Sequence, residues 1–184
     1  MTSVDRFVQR LRIQQVEPFL TPSDKVLDIG TADGALFTVL SYLKDGTGID
    51  PDAEARPLKN ATLIRGFFPQ ALPDSQQFDA ITMLAVLEHI PEEGQRQMAS
   101  DCFNRLRASG RLIITVPSPR VDDILKVMKA VRLIDGMSLE QHYGYDITQT
   151  PALFCSAGFT LLKAKKFQFG LNNLFVFEKP AQVT

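Results

Sequence analysis

The apolar positions of this chain alternate between short continuous runs and longer stripes at helical spacing. The runs predict buried strands, which lie at residues 26–29, 47–50, 61–73, 78–87 and 111–117. The stripes predict helices, including a leading one over residues 3–20 and another between Pro91 and Gly110. Two further strands, at residues 160–169 and 172–178, are joined by a short turn and predict a hairpin. Strands that alternate with helices predict an α/β fold with a parallel sheet covered on both faces.

The composition narrows the classes of protein that fit this pattern. With 184 residues, of which 45% are hydrophobic, the chain can bury one core, so we expect a single domain over residues 1–184. The net charge of -1 gives no general attraction to a nucleic-acid backbone, and no nucleic-acid partner is expected. The longest apolar stretch, residues 80–87, is too short to span a bilayer. Two cysteines do not suggest a disulfide framework, which favours a cytoplasmic location.

The first strand ends in a glycine-bracketed turn that predicts a ligand site. Gly30 allows a tight backbone turn after the buried strand, and Gly34 stands where the following helix begins. Backbone N–H groups at the start of a helix attract anionic or polar groups of a ligand. Because such turns also occur without a ligand, the residues downstream decide between the two interpretations.

An acid at the end of the second strand points to a nucleoside. Asp50 follows the turn by about 20 residues and reaches the carboxyl edge of the sheet, where a carboxylate can accept both ribose hydroxyls. Dinucleotide binding usually requires Gly-x-Gly-x-x-Gly, but the second and third glycine positions here hold Ala32 and Ala35. The sequence therefore favours a nucleoside-bearing ligand other than a nicotinamide dinucleotide.

These motifs together resemble those of the class I S-adenosylmethionine-dependent methyltransferases. The resemblance rests on D-I-G-x-x-x-G at residues 28–34, the acid Asp50 and the run FDAITMLAVLEHIP at residues 78–91, and it covers residues 25–179. It implies a Rossmann-like three-layer sandwich, with a mostly parallel seven-stranded sheet and an antiparallel C-terminal strand. It also implies S-adenosyl-L-methionine as cofactor, S-adenosyl-L-homocysteine as product, and a small-molecule or lipid-like methyl acceptor.

The resemblance assigns cofactor-binding roles residue by residue. The methionine end of the cofactor is expected at Asp28, Gly30, Thr31 and Gly34, and the ribose at Asp50 and Pro51. The adenine is expected near Gly66, Phe67 and Phe68, and the methyl-transfer face near Leu84.

Two departures from the family pattern concern this cofactor site. Ala32 replaces the middle glycine of the first motif, a difference of one methyl group. Phe67 and Phe68 stand where many members place an acid that accepts the adenine amino group. We expect stacking and backbone groups to hold the adenine instead, and ordinary core packing of both rings is the equal alternative.

The catalytic candidates are His142 and His89. Methyl transfer from a sulfonium is an in-line displacement, so the protein mainly aligns the reactants, and a general base is needed only where the acceptor holds its proton. His142 lies where the family commonly inserts a substrate-selecting element, and a lid or insert is expected over residues 118–148. His89 follows the fourth strand beside Glu88, another candidate base, and anchoring of its loop is the alternative role for His89.

Two amphipathic segments have more than one interpretation. The leading helix, within residues 1–24, is expected to pack on the sheet and to close over the cofactor. Its Arg6, Arg10 and Arg12 either reach a carboxylate there or form a solvated basic face, which is the favoured interpretation. An apolar stripe over residues 121–134 is expected to cover the core, and the alternatives are a substrate lid or a surface that docks an apolar acceptor or a partner such as a second copy of the chain. No Cys/His cluster has the spacing of a metal site, so no metal is expected.

Three other functions stay open at this point. A noncatalytic binding or scaffold protein would keep the fold without turnover, and Phe67 and Phe68 leave room for it. An NAD(P)-binding oxidoreductase would need a dinucleotide site that the glycine pattern does not provide. A protein or RNA methyltransferase would need a shallow, open acceptor site.

Overall fold

The structure is a computed structural model that describes residues 3–118 and 145–181. Its strands are β1 (Lys25–Ile29), β2 (Asp45–Asp50), β3 (Arg56–Pro57), β4 (Ala61–Arg65), β5 (Phe78–Leu84), β6 (Leu106–Pro117), β7 (Thr160–Phe167) and β8 (Asn172–Glu178). They form one sheet in the order β3-β4-β2-β1-β5-β6-β8-β7. The described helices are α1 (Ser3–Val16), α2 (Ala35–Val39), α3 (Glu92–Arg105) and α4 (Thr150–Ser156).

The strand directions confirm the predicted fold class. β1 runs parallel to β2 and β5, and the parallel arrangement extends to β4 on one side and β6 on the other. β8 lies between β6 and β7 and is antiparallel to both, so the hairpin expected at the C-terminal end is present. Within the described residues the sheet has eight strands where seven were expected, because the two-residue β3 pairs antiparallel with β4 at the edge.

Side chains alternate between the two faces of the sheet, and each face packs against helices. Leu27 and Ile29 of β1 belong to one buried cluster, which also contains Phe154 of α4. Val26 points to the other cluster, which contains Ile13 of α1. Two apolar layers around a central sheet require a helical layer on each side, and this is the three-layer sandwich that was expected.

Two helix boundaries differ from those predicted. α1 ends at Val16, and residues Glu17–Phe19 continue it as a short 3-10 turn that contains Pro18. α3 ends at Arg105 instead of Gly110, because β6 already begins at Leu106. The run RAS within residues 107–109 carries no apolar signal that would have revealed this early start of β6.

The carboxyl ends of the parallel strands meet at one edge of the sheet, which we call the carboxyl edge. The loops after β1, β2, β4 and β5 emerge there, and they carry most of the predicted site residues. Most of the insert expected over residues 118–148 lies outside the described residues, as does the whole stripe over 121–134, so both stay predictions. Within residues 3–118 and 145–181, no helix has the length and apolar character needed to cross a membrane.

Candidate functional site

The turn between β1 and α2 folds against the end of β2. The Gly30 N–H donates to the Ile49 carbonyl oxygen at 2.8 Å, and the Gly34 N–H donates to the Thr31 carbonyl oxygen at 2.9 Å. Gly30 has a φ of +74°, and a Cβ atom added there would overlap the side chain of Val86 in the loop after β5. Glycine is therefore required at this position by its backbone conformation and by its neighbour.

Asp50 joins the loops that follow three different strands. Its Oδ2 accepts the Ala32 N–H at 3.1 Å, and its Oδ1 accepts the Asp52 N–H at 2.8 Å. Its main-chain oxygen accepts the Gly66 N–H at 3.1 Å. Each carboxylate oxygen can accept more than one hydrogen bond, so both oxygens keep capacity for a ligand hydroxyl. The neighbouring Pro51 is exposed, and its carbonyl oxygen accepts the Arg65 Nε–H at 3.1 Å.

A cavity of about 430 Å³ opens beside this carboxylate. Its lining residues are Ala32, Asp33, Asp50, Asp52, Ala53, Glu54, Arg56 and Leu63. The volume lies within the range of small-molecule sites, about 300–1,000 Å³. Acids outnumber the one arginine in this lining, so the cavity favours hydroxyl donors and cations over a pyrophosphate.

Asp28 lies beneath the glycine turn, where it is only 4% exposed. Thr82 Oγ1 of β5 donates to Asp28 Oδ1 at 2.6 Å. Burial raises the pKa of Asp28 to about 6; the hydroxyl groups of Thr82 and Thr31 oppose this rise, and the charge of Asp50 reinforces it. The carboxyl group therefore connects β1 to β5 through Thr82, and its contact with a ligand stays a prediction.

The two phenylalanines after β4 have different environments. Phe68 is 9% exposed and belongs to a core cluster, whereas Phe67 is 70% exposed. Core packing, the equal alternative at the sequence level, thus applies to Phe68. Phe67 leaves a ring face available for stacking at the carboxyl edge. Leu84, at the end of β5, is half-buried against the other core cluster.

A second group of polar side chains lies where α1 crosses the start of β8. Arg12 Nε donates to Asn172 Oδ1 at 3.2 Å, and Asn172 Nδ2 donates to Gln168 Oε1. Burial lowers the pKa of the Arg12 guanidinium, and the charge of Glu88 opposes this effect. Arg12 is half-buried and held at the carboxyl edge, so the solvated basic face favoured from the sequence does not include it.

Glu88 and His89 lie in the 3-10 turn Leu87–His89 that follows β5. Glu88 is 3% exposed, and its Oε1 is 4.0 Å from His89 Nε2. Nearby, the Tyr145 hydroxyl forms a 2.7 Å hydrogen bond with Thr150 Oγ1. Burial raises the pKa of Tyr145; the Thr150 bond opposes this, and the charges of Asp146 and Glu88 reinforce it. His142 lies outside the described residues, so its catalytic role stays a prediction.

Neither Thr82 nor Asn172 is among the site residues that the sequence motifs predict. Thr82 is a polar residue in the middle of an apolar strand, which is a usable signal for a buried hydrogen bond. Asn172 and Asn173 open the apolar run of β8, and two buried amides at a strand start carry the same signal. Across residues 3–118 and 145–181, no group of three or more His, Cys, Asp and Glu side chains has an arrangement suited to a metal ion.

Several solved structures that share this fold are structures of methyltransferases. The magnesium protoporphyrin IX methyltransferase of Synechocystis PCC 6803, solved with bound SAH, is similar with a TM-score of 0.66 and 18% identity, over 95% of this chain and 82% of that one. The TehB-like SAM-dependent methyltransferase of Corynebacterium glutamicum is similar with a TM-score of 0.65 and 16% identity, over 95% and 97% of the two chains. At these identities the likeness shows a shared fold.

Sequence comparison identifies the family of this chain. A family model described as a methyltransferase domain matches residues 3–164. This chain therefore belongs to that family, within the class I S-adenosylmethionine-dependent methyltransferase superfamily, as the motifs indicated. The protein-L-isoaspartate O-methyltransferase of Roseiflexus castenholzii is 31% identical over 121 residues, which cover 60% of this chain and 52% of the relative. The chain thus spans about half the length of the curated relative that it matches.

Proposed function

We propose that this protein transfers the methyl group of S-adenosyl-L-methionine to a small-molecule or lipid-like acceptor. The observation that carries the proposal is the Asp50 carboxylate, which is fixed by the N–H groups of Ala32 and Asp52 beside a cavity of about 430 Å³. A fixed carboxylate with unused acceptor capacity suits the two hydroxyls of a ribose. The family match supports S-adenosylmethionine as the nucleoside that carries this ribose.

The charges around the cavity support a cationic cofactor. Asp33, Asp52 and Glu54 line it together with Asp50, and Arg56 is the basic residue among the lining side chains. The sulfonium and amino groups of S-adenosylmethionine are attracted to such a site, whereas the pyrophosphate of NAD(P) is repelled. The oxidoreductase alternative is therefore disfavoured on a second, independent ground besides the glycine pattern.

The remaining cofactor contacts follow from the positions of the loops. We assign the methionine end to the backbone of Gly30, Thr31 and Gly34, above the buried Asp28. Gly66 and the exposed Phe67 ring form the adenine side, while Phe68 supports them from the core. Pro51 borders the ribose, and Leu84 borders the methyl-transfer face.

The acceptor is assigned to the side of the carboxyl edge that holds Arg12, Glu88, Tyr145 and Asn172. Alignment of acceptor, methyl group and sulfur can lower the barrier by about 7–11 kcal/mol, so these side chains act mainly by positioning. For an acceptor that holds its proton, His89 and His142 are the proposed general bases, with Glu88 next to His89.

Calorimetric titration with four ligands tests the cofactor assignment. We expect S-adenosylmethionine and S-adenosylhomocysteine to bind with micromolar Kd, and NADH and NADPH not to bind. Binding of a dinucleotide alone would restore the oxidoreductase alternative. Binding of none would contradict the proposed cofactor site and would favour the noncatalytic scaffold.

A protein acceptor is a second candidate, because the curated relative named above is a protein-L-isoaspartate O-methyltransferase. Incubation with methyl-labelled S-adenosylmethionine distinguishes the two classes of acceptor. Label transferred to an isoaspartyl peptide, and not to the same peptide with aspartate, would support the protein acceptor. Label transferred only to a small phenol, carboxylic acid, amine or amphiphile would support the first proposal.

A further inference from the structure

Large apolar side chains are exposed at several places on the described surface. They are Phe7 at 62%, Val39 at 39%, Phe67 at 70%, Leu162 at 52% and Phe169 at 108%. Phe169 lies in the turn between β7 and β8, where its backbone φ is +57°. A bulky residue rarely adopts this left-handed conformation, and here it directs the whole ring into solvent instead of into a core.

Phe7 and Phe169 belong to the same region of the carboxyl edge. The hydrogen bond from Arg12 Nε to Asn172 Oδ1, at 3.2 Å, joins α1 to the start of β8. Phe169 precedes Asn172 by three positions, and Phe7 precedes Arg12 by five. Five residues of helix span about 7–8 Å, so the two rings project from adjoining segments.

Exposed cations lie close to these two rings along the chain. Arg6 and Arg10 lie on α1 beside Phe7, and Lys165 and Lys166 precede the turn that carries Phe169. Residues 6–12 and 165–172 contain no aspartate or glutamate, although the whole chain has a net charge of -1.

Within residues 3–118 and 145–181, few acids border this region. Asp5 precedes Arg6 in α1, and Asp33 accepts a hydrogen bond from Gln9 at 3.4 Å. Glu88 is buried, and its charge raises the pKa of Arg12. The region is thus locally basic in a chain without an overall positive field.

We propose that Arg6, Phe7, Arg10, Lys165, Lys166 and Phe169 form a docking surface for an anionic lipid bilayer. Protruding aromatic rings flanked by arginine and lysine suit the surface of such a membrane. The rings enter the acyl boundary, and the cations remain at the phosphates of the headgroups. A protein partner would have to offer a matching pocket for each ring, whereas a bilayer accepts both rings without such pockets.

The position of the docking surface gives the bound protein a defined orientation. It lies on the carboxyl edge, next to the Arg12–Asn172 pair at the proposed acceptor side. On a bilayer this edge faces the lipid, so an acceptor dissolved in the membrane reaches the site without crossing water. That last consequence rests on the proposed function, whereas the docking itself does not.

The chain contains no tryptophan, so a single introduced one reports on its own environment. We expect the fluorescence of Phe169→Trp to shift to shorter wavelength on vesicles of phosphatidylglycerol and phosphatidylcholine, and to be quenched by brominated lipid. Leu162→Trp is the matched control, because Leu162 is also exposed but lies near the amino end of β7. We expect no shift for this control.

Charge reversal tests the same surface in the chain without a reporter. Lys165→Glu with Lys166→Glu should weaken cosedimentation with these vesicles at least about 10-fold, since each cation near an anionic surface contributes roughly 5-fold. The same change at Lys44 and Lys59, which are exposed before β2 and β4 on the opposite edge, should have little effect.

Three results would overturn the proposal: no binding of the unmodified chain to the anionic vesicles, equal loss for both charge-reversed pairs, or an unshifted Phe169→Trp spectrum. Titration of each variant with S-adenosylmethionine is run in parallel. A variant that binds the cofactor normally is folded, so failure of docking is distinguished from failure of the proposed function.

Discussion

The two halves of the carboxyl edge are built in different ways. On the half that we propose for the cofactor, called the cofactor half, the contacts are largely made by backbone N–H groups within residues 28–66, and Asp50 accepts three of them with its side chain and its carbonyl oxygen. On the half that we propose for the acceptor, called the acceptor half, the contacts are made by side chains from distant parts of the chain, and Arg12 and Asn172 are 160 positions apart. A short motif can specify the first half because its determinants are local. The second half exists only once the whole sheet has formed.

Gly30→Ala should cause the largest loss on the cofactor half. A Cβ at a φ of +74° costs about 1–2 kcal/mol and must also displace Val86, so we expect at least about 100-fold weaker S-adenosylmethionine binding and a lower melting temperature. Gly170→Ala is the matched control, because its φ is +83° but its Cβ would meet nothing within 4 Å. Equal cofactor affinity in the two variants would show that the turn does not form the binding site.

Asp28→Asn should remove a pH dependence of stability. In the folded protein the pKa of Asp28 is about 6, whereas the ordinary value is 3.8. The neutral carboxyl group therefore makes its full favourable contribution to the free energy of unfolding below about pH 4. It declines as the pH rises through 6, by about 3 kcal/mol in total. Urea unfolding near pH 4 and near pH 7.5 should show this decline in the unmodified protein but not in the variant. Identical declines in both would contradict the assignment to Asp28.

Asp50→Asn should weaken the cofactor half by a smaller amount. An amide nitrogen cannot accept a hydrogen bond, so one of the two fixed N–H groups and one ribose hydroxyl lose their acceptor. We expect about 10- to 100-fold weaker binding of S-adenosylhomocysteine by calorimetry, from charge-assisted hydrogen bonds of about 1.5–3 kcal/mol. Asp45→Asn, at the exposed opposite end of β2, serves as the control and should leave the affinity unchanged. Unchanged affinity in Asp50→Asn as well would exclude the ribose assignment.

Arg12→Gln should leave the cofactor half almost unaffected. Its hydrogen bond to Asn172 lies on the acceptor half, so we expect cofactor affinity within about 2-fold and a stability loss of about 1 kcal/mol from the lost bond. Arg10→Gln, on an exposed position of the same helix, should change neither quantity. A large loss of cofactor affinity in Arg12→Gln alone would show that the two halves are coupled through α1.

The difference between the halves also explains which features the sequence predicted. The glycine turn, Asp50 and the α/β order followed from local pattern, because each depends on residues close together in the chain. The role of Thr82 beneath Asp28 requires that β5 pair with β1, and that of Asn172 requires that β8 insert between β6 and β7. The difference in exposure between Phe67 and Phe68 depends on the direction of each side chain after β4, which composition does not encode.

The position of β8 has a consequence for the order in which the chain can fold. Among the described strands, β7 joins the sheet only through β8, and β8 also covers the free edge of β6 with seven paired positions. Until residue 178 has been synthesised, β7 lacks this partner strand, and the unpaired N–H and C=O groups at the edge of the apolar strand β6 are open to other chains. Such late, long-range pairing slows folding. Nascent chains that end before residue 178 are therefore the species most in need of protection from aggregation.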